Sequence, residues 1–152
     1  MMNVREIPIG SFVGVYSSPT NLMTCMVVEL LRDNRVSVIV YHQTQDDGQY
    51  TTGKIHTFPL SQLEGICCTC STLKNFGFTD SNEKGWKLVY WFGVDMKLLY
   101  RPTNKQNLAS FRFKSDFRKS YVRISCIYIH ELQNIMRFLT GGEMEFEYKN
   151  VE

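Results

Sequence analysis

The chain is expected to be an α+β protein: a small N-terminal antiparallel β-sheet or SH3-like barrel, then a short helix, an antiparallel sheet and a C-terminal amphipathic helix. Three observations predict this. Short β-rich runs crowd residues 1–64, the elements follow the order strands, short helix, strands, helix rather than repeating βαβ units, and helical apolar spacing is confined to residues 128–140.

The elements follow in order. "GSFVGVY" opens as a strand, and "TCMVVELLRDNRVSVIVYH" reads as two strands joined at Asp33-Asn34, whose short side chains tolerate the positive φ of a two-residue hairpin turn. Val36, Val38 and Val40 alternate with Ser37 and Ile39, as a half-buried strand requires. "GQYTTGKIHTF" supplies a further strand after a loop at Gln45-Asp46-Asp47-Gly48. Four or five short strands in so few residues suggest a curled sheet or small barrel. Thr69 is placed to cap a short helix, Leu73 and Phe76 to face inward, and Gly77 to end the helix in the left-handed region. After a turn at Asn82-Glu83-Lys84-Gly85 come a hairpin around Gly93 and two strands, "LASFRFKS" and "SYVRIS". The tail EMEFEY alternates acidic and apolar residues, the pattern of an edge strand.

With 152 residues, 43% apolar and 13% aromatic, the chain has material for one core, and at this size a domain buries roughly 70% of its unfolded surface. A β-rich subdomain over 1–64 is marginal alone, so it is expected to pack with an α+β subdomain over 65–152 as one compact unit. No apolar run approaches the roughly 18 residues a membrane span needs, and MMNVREIPIG lacks the pattern of a secretory signal. Five irregularly spaced cysteines fit a reduced, cytoplasmic protein.

Two stretches carry residues of chemical interest. In "IHELQN", His130-Glu131 opens like a zinc-protease helix, but Asn134 stands where the second imidazole belongs, so the site would keep one ligand and no metal is expected. Ile129, Leu132, Met136 and Leu139 instead form an apolar stripe, with His130, Asn134 and Arg137 on another, outward face. Cys67 and Cys70 form a C-x-x-C at a helix start, where a helix dipole favours thiolate, but the small antiparallel front is not the βαβ setting of a thioredoxin-like site. The plainer role for these cysteines is as small apolar residues. No glycine-flanked nucleophile and no phosphate-cradling loop stands out, so no catalytic residue and no cofactor is expected.

Charge supplies the strongest positive signal. The net charge of +2 hides a concentration: residues 97–123 carry eight basic residues against Asp116 alone, and the rest of the chain carries nine basic and fourteen acidic residues. In "FRFKSDFRKSYVRIS", alternation sends Phe111 and Phe113 to one face and Arg112 and Lys114 to the other; on a paired strand Arg123 joins the basic face, with Arg118 and Lys119 at the connecting turn. Such a patch can neutralise phosphates or meet an acidic protein. The plainer reading is a solvated face offset by Glu143, Glu145 and Glu147. Inward aromatics would add no base stacking.

The segment "IHELQNIMRFLTGGEMEF", taken with "GICCTCSTLKNFGF" upstream, resembles a family of short uncharacterised proteins encoded by phages, prophages and mobile elements of gut bacteria. The matching positions are Gly65, Ile66, Thr69, Leu73, Gly77, Phe78, His130, Leu132, Gln133, Asn134, Leu139, Thr140 and Gly141, over the last ninety or so residues. Cys67-Cys68-Thr69-Cys70 replaces the family's Pro-Leu-Thr-Pro, and Gly141-Gly142 its Gly-Glu, both at helix ends. The resemblance implies a structural closing helix and no enzyme activity. The resulting expectation is a non-enzymatic accessory protein that binds another protein, with nucleic-acid binding through 109–125 as the alternative and a thiol-redox enzyme on Cys67 and Cys70 behind both.

Overall fold

The computed structural model describes residues 7–93, 95–115, 121–142 and 145–149. It is an α+β protein dividing into two compact units, residues 1–66 and 67–152.

In the first unit, β1 (Phe12–Ser18), β2 (Asn21–Leu30), β3 (Arg35–Gln43), β4 (Ile55–Pro59) and β5 (Leu63–Glu64) form one antiparallel sheet in the order β4-β3-β2-β1-β5. A single 3-10 turn, Leu60–Gln62, carries the chain from β4 to β5. This is the order of an SH3-like half-barrel, curled around Val13, Val15, Met23, Cys25, Val38, Val40 and Phe58. Register breaks in β2 against β3, at Thr24/Cys25 and Val27/Glu29, supply the extra twist that curls the sheet. Between β2 and β3 the turn is longer than the two residues expected. Leu31 N–H donates to Arg35 O at 2.9 Å, leaving three residues in the loop, and Asn34 takes the positive φ of 58° that closes such a loop. Residues 49–54, expected to be strand, are outside it, and β4 begins only at Ile55.

The second unit begins with α1 (Cys70–Asn75). Thr69 Oγ1 accepts from Thr72 N–H at 3.2 Å, Leu73 and Phe76 are buried, and Gly77 ends the turn at φ 97°. β6 (Thr79–Asp80), β7 (Leu88–Phe92), β8 (Met96–Pro102), β9 (Ala109–Ser115) and β10 (Tyr121–Cys126) make an antiparallel sheet in the order β10-β9-β8-β7-β6. α2 (Ile129–Thr140) follows and ends at Gly141, φ 65°. One sheet face carries Leu88, Leu98, Tyr100, Phe111 and Ile124, all buried. The tail departs from expectation: residues 145–149 form no strand. Phe146 is buried against Phe78 and Tyr90, and Lys149 N–H reaches Asn75 O at 2.6 Å, so side-chain packing replaces strand pairing.

α2 also differs from its expected orientation. Ile129, Leu132 and Met136 are buried as the stripe requires, but so are His130, at 5% exposure, and Gln133, whereas Phe138 is 87% exposed. The outward imidazole face does not exist. His130 instead stacks on Tyr128, with centroids 5.6 Å apart and planes 13° apart. Glu131 has a structural role, because its Oε1 accepts from the backbone N–H of Tyr128 at 2.9 Å and of Ile127 at 3.2 Å, satisfying amides that the first helical turn leaves open.

Candidate functional site

Strand alternation places the basic residues as expected and adds neighbours that the sequence does not disclose. β9 and β10 pair with Arg123 directly opposite Arg112, Ile124 opposite Phe111 and Tyr121 opposite Lys114. On the other side of β9, Lys114 is opposite Lys97 and Arg112 opposite Leu99 of β8. Arg112, Lys114 and Arg123 therefore share one face, which also holds Lys97, Arg101 and Tyr121 by register. Arg118 and Lys119 lie outside the described residues, as do Asp116 and Glu143.

Two like-charge pairs standing directly across neighbouring strands cost stability unless something lies between them. Each pair has its own mediator. For the lysines it is Glu83, whose carboxylate accepts from Lys97 Nζ and lies 3.5 Å from Lys114 Nζ. The Lys97 hydrogen bond, helped by the charge of Lys114, holds the Glu83 carboxyl below its ordinary carboxylate pKa despite the opposing effect of burial. For the arginines it is the Tyr121 ring: the Arg112 guanidinium lies 4.0 Å from its centroid and that of Arg123 5.6 Å, with Arg123 Nη2 donating to Tyr121 Oη at 3.0 Å. That hydrogen bond, and then the charge of Arg112, lowers the phenol pKa below its ordinary value.

Trp86 completes the series. Its ring lies 4.6 Å from the Arg101 guanidinium and 5.0 Å from that of Arg112, so Arg101, Trp86, Arg112, Tyr121 and Arg123 alternate cation and ring across three strands. Trp91, half exposed, takes Lys97 at 5.1 Å. These aromatics are on the basic face, additions that the sequence reading of Phe111 and Phe113 does not include. Phe111 and Phe113 point inward as expected; Tyr121 is on the basic face two residues before Arg123 on β10, and Trp86 and Trp91 come from other segments.

The two mediators have different electrostatic results. Glu83 offsets one of the two charges at the lysine pair. The rings leave charge intact, and among the described residues Arg101, Arg112 and Arg123 meet no carboxylate in ion-pair contact. Among the described residues the buried Nε of Arg112 has no hydrogen-bond partner, so its contacts with two rings offset a polar cost. Glu145, expected to offset this face, forks onto Arg137 of α2 instead, at 3.0 and 3.2 Å.

β10 is also the end of its sheet: among the described residues no strand pairs with its outer side. Beside that edge runs a groove of about 420 Å³ between β10 and α2, lined mainly by apolar Val122, Ile124, Ile135, Phe138 and Leu139, together with Arg123, Ser125 and Asn134. Val122, at 41%, and Phe138 leave large apolar surfaces in water there. Reading the sequence does not reveal this groove. Its one signal there is Phe138, an aromatic displaced by two residues from the Met136 position of the apolar stripe.

The three histidines lie on separate elements, His42 in β3, His56 in β4 and His130 in α2. Cys67 precedes α1 in an isolated bridge with Tyr128, Cys70 starts α1, and Cys68 between them is buried. A hydrogen bond with Cys126, then burial, pushes the Cys68 thiol far above its ordinary pKa. No helix among the described residues is long and apolar enough to cross a membrane. Comparison with protein-family models, with curated proteins and with solved structures finds no match.

Proposed function

We propose that this is a non-enzymatic accessory protein, of the phage and mobile-element kind that its sequence resembles, which acts by binding another protein in the reducing cytoplasm. One observation carries the reading: an apolar groove with a nearly fully exposed phenylalanine lies beside a strand edge that no other described strand pairs, and beside an arginine that meets no carboxylate among the described residues. Monomeric soluble proteins rarely leave such a patch uncovered without a use for it. The residues of the resemblance support a structural role for its motifs, since Thr69, Gly77 and Gly141 form helix ends and Leu73 and Leu132 lie in the core. All five cysteines are free thiols, which suits a reducing compartment.

The test is site-specific photocrosslinking in cells, with a benzophenone amino acid replacing Phe138, or replacing Ile55 as an exposed control on the first unit. A discrete protein adduct from position 138 and none from 55 is expected. Equal, diffuse labelling from both would refute the reading.

A second reading has its own observation, the outward alternation of rings and arginines, which suits stacked bases and phosphates of a single strand. It requires oligonucleotide binding that weakens steeply from low to moderate salt and is lost when Arg112, Lys114 and Arg123 become alanine. Binding unchanged in that triple variant would remove the patch as its cause.

A further inference from the structure

We infer that the partner docks as an added β-strand on the outer edge of β10, and that the docking segment alternates acidic and apolar residues. This rests on the protein-binding reading and specifies its mode and chemistry.

The occupant follows from the two sides of the edge. A strand laid alongside β10 sits about 4.8 Å away and sends successive side chains to opposite faces. On one face they would meet Arg123, with Arg112 behind it, both lacking a carboxylate among the described residues. On the other they would meet the groove of Val122, Ile135, Phe138 and Leu139. Acidic residues satisfy the first face and aliphatic or aromatic residues the second, so the two requirements together demand a period of two. β10 is six residues long, and a segment of about that length is enough.

Within the unit, a non-strand segment already shows the same pairing of side-chain types, acid on arginine and aromatic among rings. Residues 145–148, Glu-Phe-Glu-Tyr, are held with Glu145 forked on Arg137 and Phe146 buried between rings. A second copy of this chain is a poorer occupant, because antiparallel pairing of two β10 strands centred on Arg123 would set arginine against arginine.

The experiment uses the full chain and a fluorescein-labelled octapeptide of alternating Glu and Val, read by anisotropy. Saturable binding is expected, weakened at least tenfold by Arg123→Glu and at least fivefold by Phe138→Ser, with a Lys-Val peptide failing to bind. Two further peptides carry N-methyl groups on alternate amides, in the two opposite phases. A strand added to an edge points only one phase at its neighbour, so one should lose at least tenfold in affinity and the other should bind nearly as the parent. If both bind like the parent, strand addition is wrong while the protein-binding reading stands. If the peptide does not bind although position 138 crosslinks to a protein, the proposed chemistry is wrong. If neither occurs, both fall. Preferential binding of a single-stranded oligonucleotide, or concentration-dependent dimerisation blocked by Arg123→Glu, would also overturn the proposal.

Discussion

Single residues here serve purposes that their types alone do not reveal. Glu131 stands where a zinc-protease helix carries its base, yet it caps its own helix. Its replacement by alanine should cost about 1 kcal/mol in denaturant unfolding, the usual value of a lost N-terminal cap. Glu83 is structural in the same sense, held between Lys97 and Lys114. Because its folded pKa lies below the ordinary carboxylate value, its ion pairs stabilise the fold above that value, and the benefit is lost as pH falls through the folded pKa. Glu83→Gln should therefore lower stability by about 1 kcal/mol at pH 7, and the difference from the parent should vanish in unfolding curves taken well below about pH 4. Thiols provide a third check. Burial holds Cys25 at about 12, and Cys68 is raised through its contact with Cys126. In a thiol-reagent titration at about pH 8, Cys25 and Cys68 should stay silent until denaturant is added.

At the scale of elements, alternation is legible in the sequence and crossing loops are not. Val36 to Val40, Phe111 to Lys114 and Tyr121 to Ser125 announce their strands and faces because a period of two is a property of the local backbone. Thr69 and Gly77 announce the ends of α1 for the same reason. Gly77 is the sharper case. Its φ of 97° strains any L residue, and a Cβ there would come within 2.8 Å of the Tyr90 ring. Gly77→Ala should cost about 1–2 kcal/mol or more, measured by thermal melting. In contrast, the lodging of Glu83 and Trp86 from one turn on the basic face of β8 and β9 depends on how residues 81–87 cross the sheet. No local periodicity encodes that. The burial of His130 is hidden likewise, because helical spacing defines faces but not which neighbours cover them. The tail alternates as an edge strand would, yet Phe146 joins a ring cluster, and packing overrides the pattern.

For the molecule as a whole, the division into two compact units, the first with a buried core of its own, sets the expectations. Val38 is fully buried in the first unit, so Val38→Ala should cost about 2 kcal/mol yet leave peptide affinity at the β10 edge unchanged. Charge is likewise unevenly distributed: a net +2 hides a local concentration, and among the described residues rings rather than carboxylates contact its arginines. The most direct measurement is an NMR titration of the labelled full chain with the Glu-Val octapeptide, following backbone amides and side-chain methyls. Strand addition at β10 predicts shift changes concentrated on Tyr121–Cys126 and on Ile135 and Leu139. Changes confined to Trp86, Trp91 and the lysine pair, or none at saturating peptide, would contradict it.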